Sequence, residues 1–155
     1  YILFCEEDTV LPEKALQDLI NTHADIACID YAVNGISCVA KDKKTGEILW
    51  CGLGCTLVKR EVFSKLEKPY FRTDKSFRLN DGKWIDNPMK YGGHDIWFCM
   101  KAREKGFKIK QIEGECKHLE LAQIGEREIN NGIHVVKQRP FIKKHQIIEI
   151  GEYAN

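Results

Sequence analysis

Hydrophobic and polar positions along this chain fall into short blocks that predict a mixed α/β architecture. Tyr1-Ile2-Leu3-Phe4-Cys5 is apolar, too short for a helix and rich in β-formers, so it reads as a buried strand. It ends abruptly in Glu6-Glu7-Asp8. Pro12 suits a first helical position, and Ala15, Leu16, Leu19 and Ile20 recur at helical spacing, which predicts a short amphipathic helix over 12–21. Residues 24–32 are apolar apart from Asp25 and Asp30 and predict a second strand. Asn34-Gly35 is a turn signal. Residues 36–40 and 47–50 flank a polar, lysine-rich loop at 41–46, the pattern of a hairpin with a solvated tip. Residues 50–58 are strand-like but broken by Gly52 and Gly54, and 59–66 predict a helix with Val62, Phe63 and Leu66 on one side.

Lys68-Pro69-Tyr70-Phe71 breaks that helix. Residues 72–91 show little periodicity and carry Phe77, Trp84, Pro88 and Tyr91, which predicts a long irregular loop with aromatic anchors. Beyond it, Ile96, Cys99, Met100 and Arg103 trace one face of a helix that starts near Asp95 and stops at Gly106. A strand is predicted over 108–113, with His118 just past it. Residues 122–155 contain Pro140, a basic cluster at 143–145 and the apolar run 147–150, and predict a helix-like or irregular tail with a late strand. No internal repeat is visible.

Composition narrows the function classes. A chain of 155 residues with 43% hydrophobic content is one domain's worth and can bury a sizeable core. Its net charge of +1 gives no general electrostatic case for nucleic acid or an anionic membrane. No apolar run approaches the roughly 20 residues of a membrane-spanning helix, and no signal peptide is visible. The seven cysteines include no CxxC pair and no zinc-finger spacing, and most lie inside apolar runs where cysteine acts as a small hydrophobe. A reduced, cytoplasmic protein is the expectation. The chain opens in mid-strand at Tyr1, without methionine, which suggests a fragment of a longer protein.

The candidate chemistry starts at Glu6-Glu7-Asp8. Three adjacent acids repel one another unless something positive lies among them, and a divalent cation with oxygen ligands satisfies that need. A solvated acidic turn has the same sequence. The acids lie at the carboxyl end of a strand, where open α/β sheets place their ligands. Gly52 and Gly54 mark either a bulge or a close approach to the backbone. Asp95 either caps its helix or is a carboxylate kept ionised by the helix N-terminus and aimed into a cleft. His118 becomes a metal-ligand candidate only with carboxylates beside it.

In order, these segments resemble a known family. The apolar strand ending in acids is followed by the Trp-x-Gly-x-Gly strand, Leu-Val-Lys-Arg-Glu-Val-Phe, Pro-Tyr-Phe, Gly-Gly-x-Asp-Ile-x-Phe-Cys-x-Lys-Ala-Arg-Glu-x-Gly-Phe-Lys-Ile, and then Cys-x-His. Over roughly residues 1–120 the chain is similar to the GT-A nucleotide-sugar glycosyltransferases, especially family 2-like enzymes of bacteria and phages.

That resemblance implies an α/β, Rossmann-related mixed sheet flanked by helices, with the nucleotide-gripping N-terminal half missing. Residues 1–120 would form the catalytic portion and 121–155 a C-terminal extension of the same domain. It implies that Glu6 and Asp8, within the family's Asp-x-Asp motif, and His118 bind Mn²⁺ or Mg²⁺. Glu7 would contribute to donor binding. Trp50, Gly52 and Gly54 would line the sugar pocket, with Gly93 and His94 facing donor and acceptor. Asp95 would take the proton from the acceptor hydroxyl, as in inverting members. Two departures stand out: Glu6 replaces the usual aspartate, and His94 stands where glutamate is common.

The implied activity is metal-dependent transfer of a sugar from a nucleotide-diphosphate sugar to a glycan or other hydroxyl acceptor. A non-catalytic module of the same fold, binding sugar or packing on a partner, is the alternative. A metal-dependent hydrolase fits less well, since HExxH is absent. A truncated sheet would also expose an edge through which two copies can pair.

Overall fold

The computed structural model describes residues 1–33, 35–74, 77–80, 83–86, 93–121, 136–137 and 146–148. The chain is mixed α/β, with a mixed sheet and few helices. Its elements are β1 (Ile2–Cys5), β2 (Thr9–Val10), α1 (Ala15–Asn21), β3 (Ile26–Asp30), β4 (Ala32–Val33), β5 (Ile36–Ser37), β6 (Val39–Asp42), β7 (Ile48–Cys51), β8 (Cys55–Val58) and α2 (Arg60–Lys65). There follow β9 (Phe77–Asn80), β10 (Lys83–Asp86), α3 (His94–Glu104), β11 (Ile109–Glu115), β12 (Lys117–His118), β13 (Glu120–Leu121), β14 (Val136–Lys137) and β15 (Gln146–Ile148).

The central sheet has the order β1-β8-β3-β11. β8 runs antiparallel to both β1 and β3, while β11 runs parallel to β3. Strands β1, β3 and β11 therefore point the same way, and their carboxyl ends gather at one edge of the sheet. The residues that enter β8 lie at that same edge.

β3 shows why the sheet is the middle layer. All five of its residues are buried, and successive side chains point to opposite faces. Ile26 and Cys28 enter a cluster with Val58, with Val62 and Leu66 of the α2 region, and with Phe98, Cys99 and Ala102 of α3. Ala27 and Ile29 enter a second cluster with Tyr31, Leu57, and Ala15 and Leu19 of α1. Helices thus cover both faces, as a strand buried on both sides requires. Phe4, Phe63, Phe71 and Phe98 form an aromatic knot on the first face, with ring centroids 5.3 to 6.5 Å apart.

Several expectations are met closely. The 36–50 hairpin forms as β6 against β7, and α2 turns Val62, Phe63 and Leu66 toward the core. Ala32–Val33 and Ile36–Ser37 pair across the expected turn, with Gly35 at φ 77°, while Asn34 itself lies outside the described residues. The late strand is β15, laid parallel to β6.

Two expectations need correcting. Phe77–Asn80 and Lys83–Asp86 pair as antiparallel strands where an irregular loop was expected, with Asn80 opposite Lys83. The two residues between them are Asp81-Gly82, a strong two-residue hairpin signal that overrides the weak periodicity. Helix α3 buries Phe98, Cys99 and Ala102, not the predicted stripe through Ile96, Met100 and Arg103. Apolar residues occupy every position from 96 to 100, so spacing alone selects no face, and packing against β7 decides it. Pro88, Tyr91, Pro140 and the basic cluster at 143–145 lie outside the described residues.

Candidate metal centre

Glu6 follows the last residue of β1, where the strand ends at the common edge. Its backbone N–H donates to Gly54 O at 3.4 Å, and a tight turn closed by Thr9 N donating to Glu6 O at 3.1 Å carries the chain through Glu7 and Asp8. That turn points Glu7 into solvent and keeps Glu6 and Asp8 half-buried.

His118 arrives from the far side of the sequence. β11 follows β3 in register up to Ile112, then shifts, so that Glu115 meets Asp30. Gly114 makes the shift possible with φ 131°, a conformation that L side chains rarely adopt. Cys116 N still donates to Asp30 O at 3.0 Å. The chain then crosses to β2, and β12 pairs with it so that His118 stands opposite Thr9. Leu119 N donates to Asp8 O at 2.7 Å, which locks the crossing.

Side-chain atoms of Glu6, Asp8 and His118 consequently come within 4.8 Å of one another. His118 Nε2 lies 3.2 Å from Asp8 Oδ2; the His118 side chain is 13% exposed and that of Asp8 45%. The group is therefore walled on the imidazole side and open to solvent on the aspartate side. His118 Nδ1 and Thr9 Oγ1 are buried without a hydrogen-bond partner among the described residues. An unpaired buried polar atom of this kind is one that a bound water or ion would satisfy. Two carboxylates and an imidazole form a donor set that could hold a metal ion.

Tyr31, just past β3, was not singled out by the sequence. It is 4% exposed. Its hydroxyl donates to Glu6 Oε2 at 3.3 Å and accepts from Gly54 N at 3.2 Å. Its ring stacks on His118, with centroids 5.9 Å apart and planes 10° from parallel. The close approach at Gly52 and Gly54 belongs to this ring. A Cβ on Gly52 would lie 2.4 Å from the Tyr31 hydroxyl oxygen, and one on Gly54 would lie 2.7 Å from the ring. The signal in the sequence was the Gly-x-Gly pair itself; nothing in it names the side chain that fills the space.

Burial foremost, with the nearby Cys38 thiol and Glu6 carboxylate, pushes the Tyr31 phenol well above its ordinary pKa, so it remains a donor. Cys38 is pushed up to about 12, by burial first and then by the Asp30 carboxylate, which leaves it a protonated thiol. Asp30 is itself buried and accepts from Ser37 Oγ at 2.7 Å.

Asp95 lies in the first turn of α3, behind an N-cap that is Gly93 in the left-handed region at φ 110°. The expected side-chain cap at Asp95 is thus displaced. Asp95 is the second helical residue, and its Oδ1 accepts from Ile96 N at 2.8 Å. Burial raises its pKa, opposed by that N–H and by the charge of His94. The Asp95 charge contributes a little to the raised pKa values of Tyr31 and Cys38. Trp50, half-buried in β7, packs against the core clusters.

No protein-family model matches the chain, and no curated protein matches it. Among solved structures the chain is similar to the crystal structure of A197 from STIV, with 19% sequence identity and a TM-score of 0.48 over 77% of this chain and 56% of that one. The chain thus spans a little over half the length of that protein.

Proposed function

We propose that this chain is the metal-binding and acceptor-activating portion of a GT-A-type glycosyltransferase, moving a sugar from a nucleotide-diphosphate sugar to an acceptor hydroxyl with inversion. One observation carries the reading. Acids leaving β1 and a histidine 110 residues later in the numbering meet within 4.8 Å, at the sheet edge where strand carboxyl ends gather. A bound divalent cation would offset the negative charge that develops on the diphosphate leaving group.

The chain's own residues supply the rest of the chemistry. Glu6, Asp8 and His118 would hold the cation. Asp95, made more basic by burial, would accept the proton of the acceptor hydroxyl, a contribution of typically 10²–10⁴-fold. Gly93 and His94 would flank the acceptor beside it. Glu7, exposed at the turn, is left free to meet the donor's ribose.

Binding of nucleotide-diphosphate sugars, measured by calorimetry with and without Mn²⁺, tests the reading. It predicts at least one donor that binds only with the metal. A full panel without such a donor would contradict it.

The partner-packing alternative draws on a separate observation. β1 is an edge among the described strands, and Tyr1, Ile2 and Leu3 are 55%, 41% and 37% exposed. A second copy presenting the same strand is the occupant we propose for that edge.

A further inference from the structure

The geometry points to Tyr31 as the positioning residue of the metal centre, fixing the Glu6 carboxylate and the His118 imidazole before the ion arrives. The inference rests on the proposed metal role of Glu6, Asp8 and His118 and extends it to a residue without a metal-binding atom in the group. Glu6 lies outside regular structure, at the exit of β1, where a free carboxylate would sample several rotamers at an entropic cost on binding. The Tyr31 hydroxyl removes that freedom by donating to Oε2 at 3.3 Å, which leaves Oε1 for the ion. The same hydroxyl is fixed by Gly54 N at 3.2 Å. The hydroxyl is thus held between the Glu6 carboxylate and Gly54 N, with the Cys38 thiol beside it.

The ring does the second half of the work. It lies 10° from parallel with the His118 imidazole, so it sets the plane in which the histidine nitrogens point. Gly52 and Gly54 let the ring come this close, since a Cβ at either would collide with it. One side chain just past β3 thereby couples a ligand that follows β1 to a ligand on β12. Supports of this kind are typically worth 10–100-fold in metal affinity.

The experiment is a Mn²⁺ titration of the 155-residue chain, followed by electron paramagnetic resonance, on wild type, Tyr31→Phe and Asp8→Ala. Tyr31→Phe keeps the stacked ring and loses only the hydroxyl. We expect its Mn²⁺ affinity to fall by about 10–100-fold with circular dichroism unchanged, and Asp8→Ala to lose tight binding. Tyr31→Phe binding as tightly as wild type would overturn the positioning role while leaving the metal site intact. Wild type binding no better than Asp8→Ala would overturn the metal site, and this inference with it.

A measurement on wild type alone covers the event that Tyr31→Phe does not fold. With [¹³Cζ]tyrosine incorporated, the tyrosine resonance most broadened by Mn²⁺ should also shift on saturation with diamagnetic Mg²⁺, because ion binding polarises Glu6 and its hydrogen bond. A resonance that broadens with Mn²⁺ but does not move with Mg²⁺ would overturn the inference.

Discussion

A methyl group at Gly54 would lie 2.7 Å from the Tyr31 ring and 3.0 Å from Thr9 Oγ1, so Gly54→Ala forces a buried aromatic side chain to move. Overpacking of this kind costs about 1–3 kcal/mol, and denaturant unfolding should show it. Gly106→Ala is the comparison: nothing lies within 4 Å of its added Cβ, so only its left-handed φ of 87° is strained. Asp95 gives a prediction with a sign. Its folded pKa lies above the unfolded value, so the folded state binds the extra proton, and stability falls as pH rises through the interval between the two values. Above that interval the buried charge is a full penalty. Asp95→Asn keeps an acceptor for Ile96 N and should be the more stable protein at neutral pH, with the advantage shrinking as pH falls through that interval and gone once pH is below the ordinary aspartate value. Transfer should meanwhile fall by roughly 10²–10⁴-fold with donor binding retained; unchanged transfer would return Asp95 to a purely structural role. Glu6, Asp8 and His118 were legible in the sequence because charge follows an apolar run without transition and a Cys-x-His follows a strand. Tyr31 was not, since its role arises only when a Gly-x-Gly more than 20 positions away makes room for it.

At the scale of elements, the centre depends on a two-residue ladder. β12 brings His118 to Asp8 only because it pairs with β2 and because Leu119 N donates to Asp8 O. Leu119→Pro removes that N–H, while Leu119→Ala keeps it. Mn²⁺ affinity should fall by about 10–100-fold in the proline variant, as for other lost supports of a metal site, and stay near wild type in the alanine variant; calorimetric titration separates the two. Equal affinity in both would show that the crossing does not position His118. The continuous apolar run of β3 and helical spacing in α2 made those elements readable, because each buries residues by a single rule. The bulge at Gly114 and the crossing to β2 were not readable: they depend on register between strands, which hydrophobic period does not encode. The hairpin of β9 and β10 was readable from Asp81-Gly82 but was outweighed by the mixed polar and aromatic pattern around it.

At the scale of the molecule, the sheet order aligns β1, β3 and β11 so that their carboxyl ends meet. Individual strands could be read from the sequence; that three of them share a direction could not, because pairing partners lie dozens of residues apart. Among the described strands the same order leaves β1 at an edge with apolar side chains exposed. Sedimentation equilibrium should show association rising with concentration, and Leu3→Lys should shift the chain toward monomer; a wild-type monomer at every concentration would contradict pairing through β1.

The central claim is that Glu6, Asp8 and His118 hold one divalent cation, and the thermal response to Mn²⁺ tests it most directly. Mn²⁺ at about 100 times its Kd should stabilise the folded chain by about 2.7 kcal/mol, a Tm rise of roughly 5–10 °C for a domain of this size, and Asp8→Ala should abolish the rise. An equal rise in wild type and Asp8→Ala, or none in either, would contradict the account.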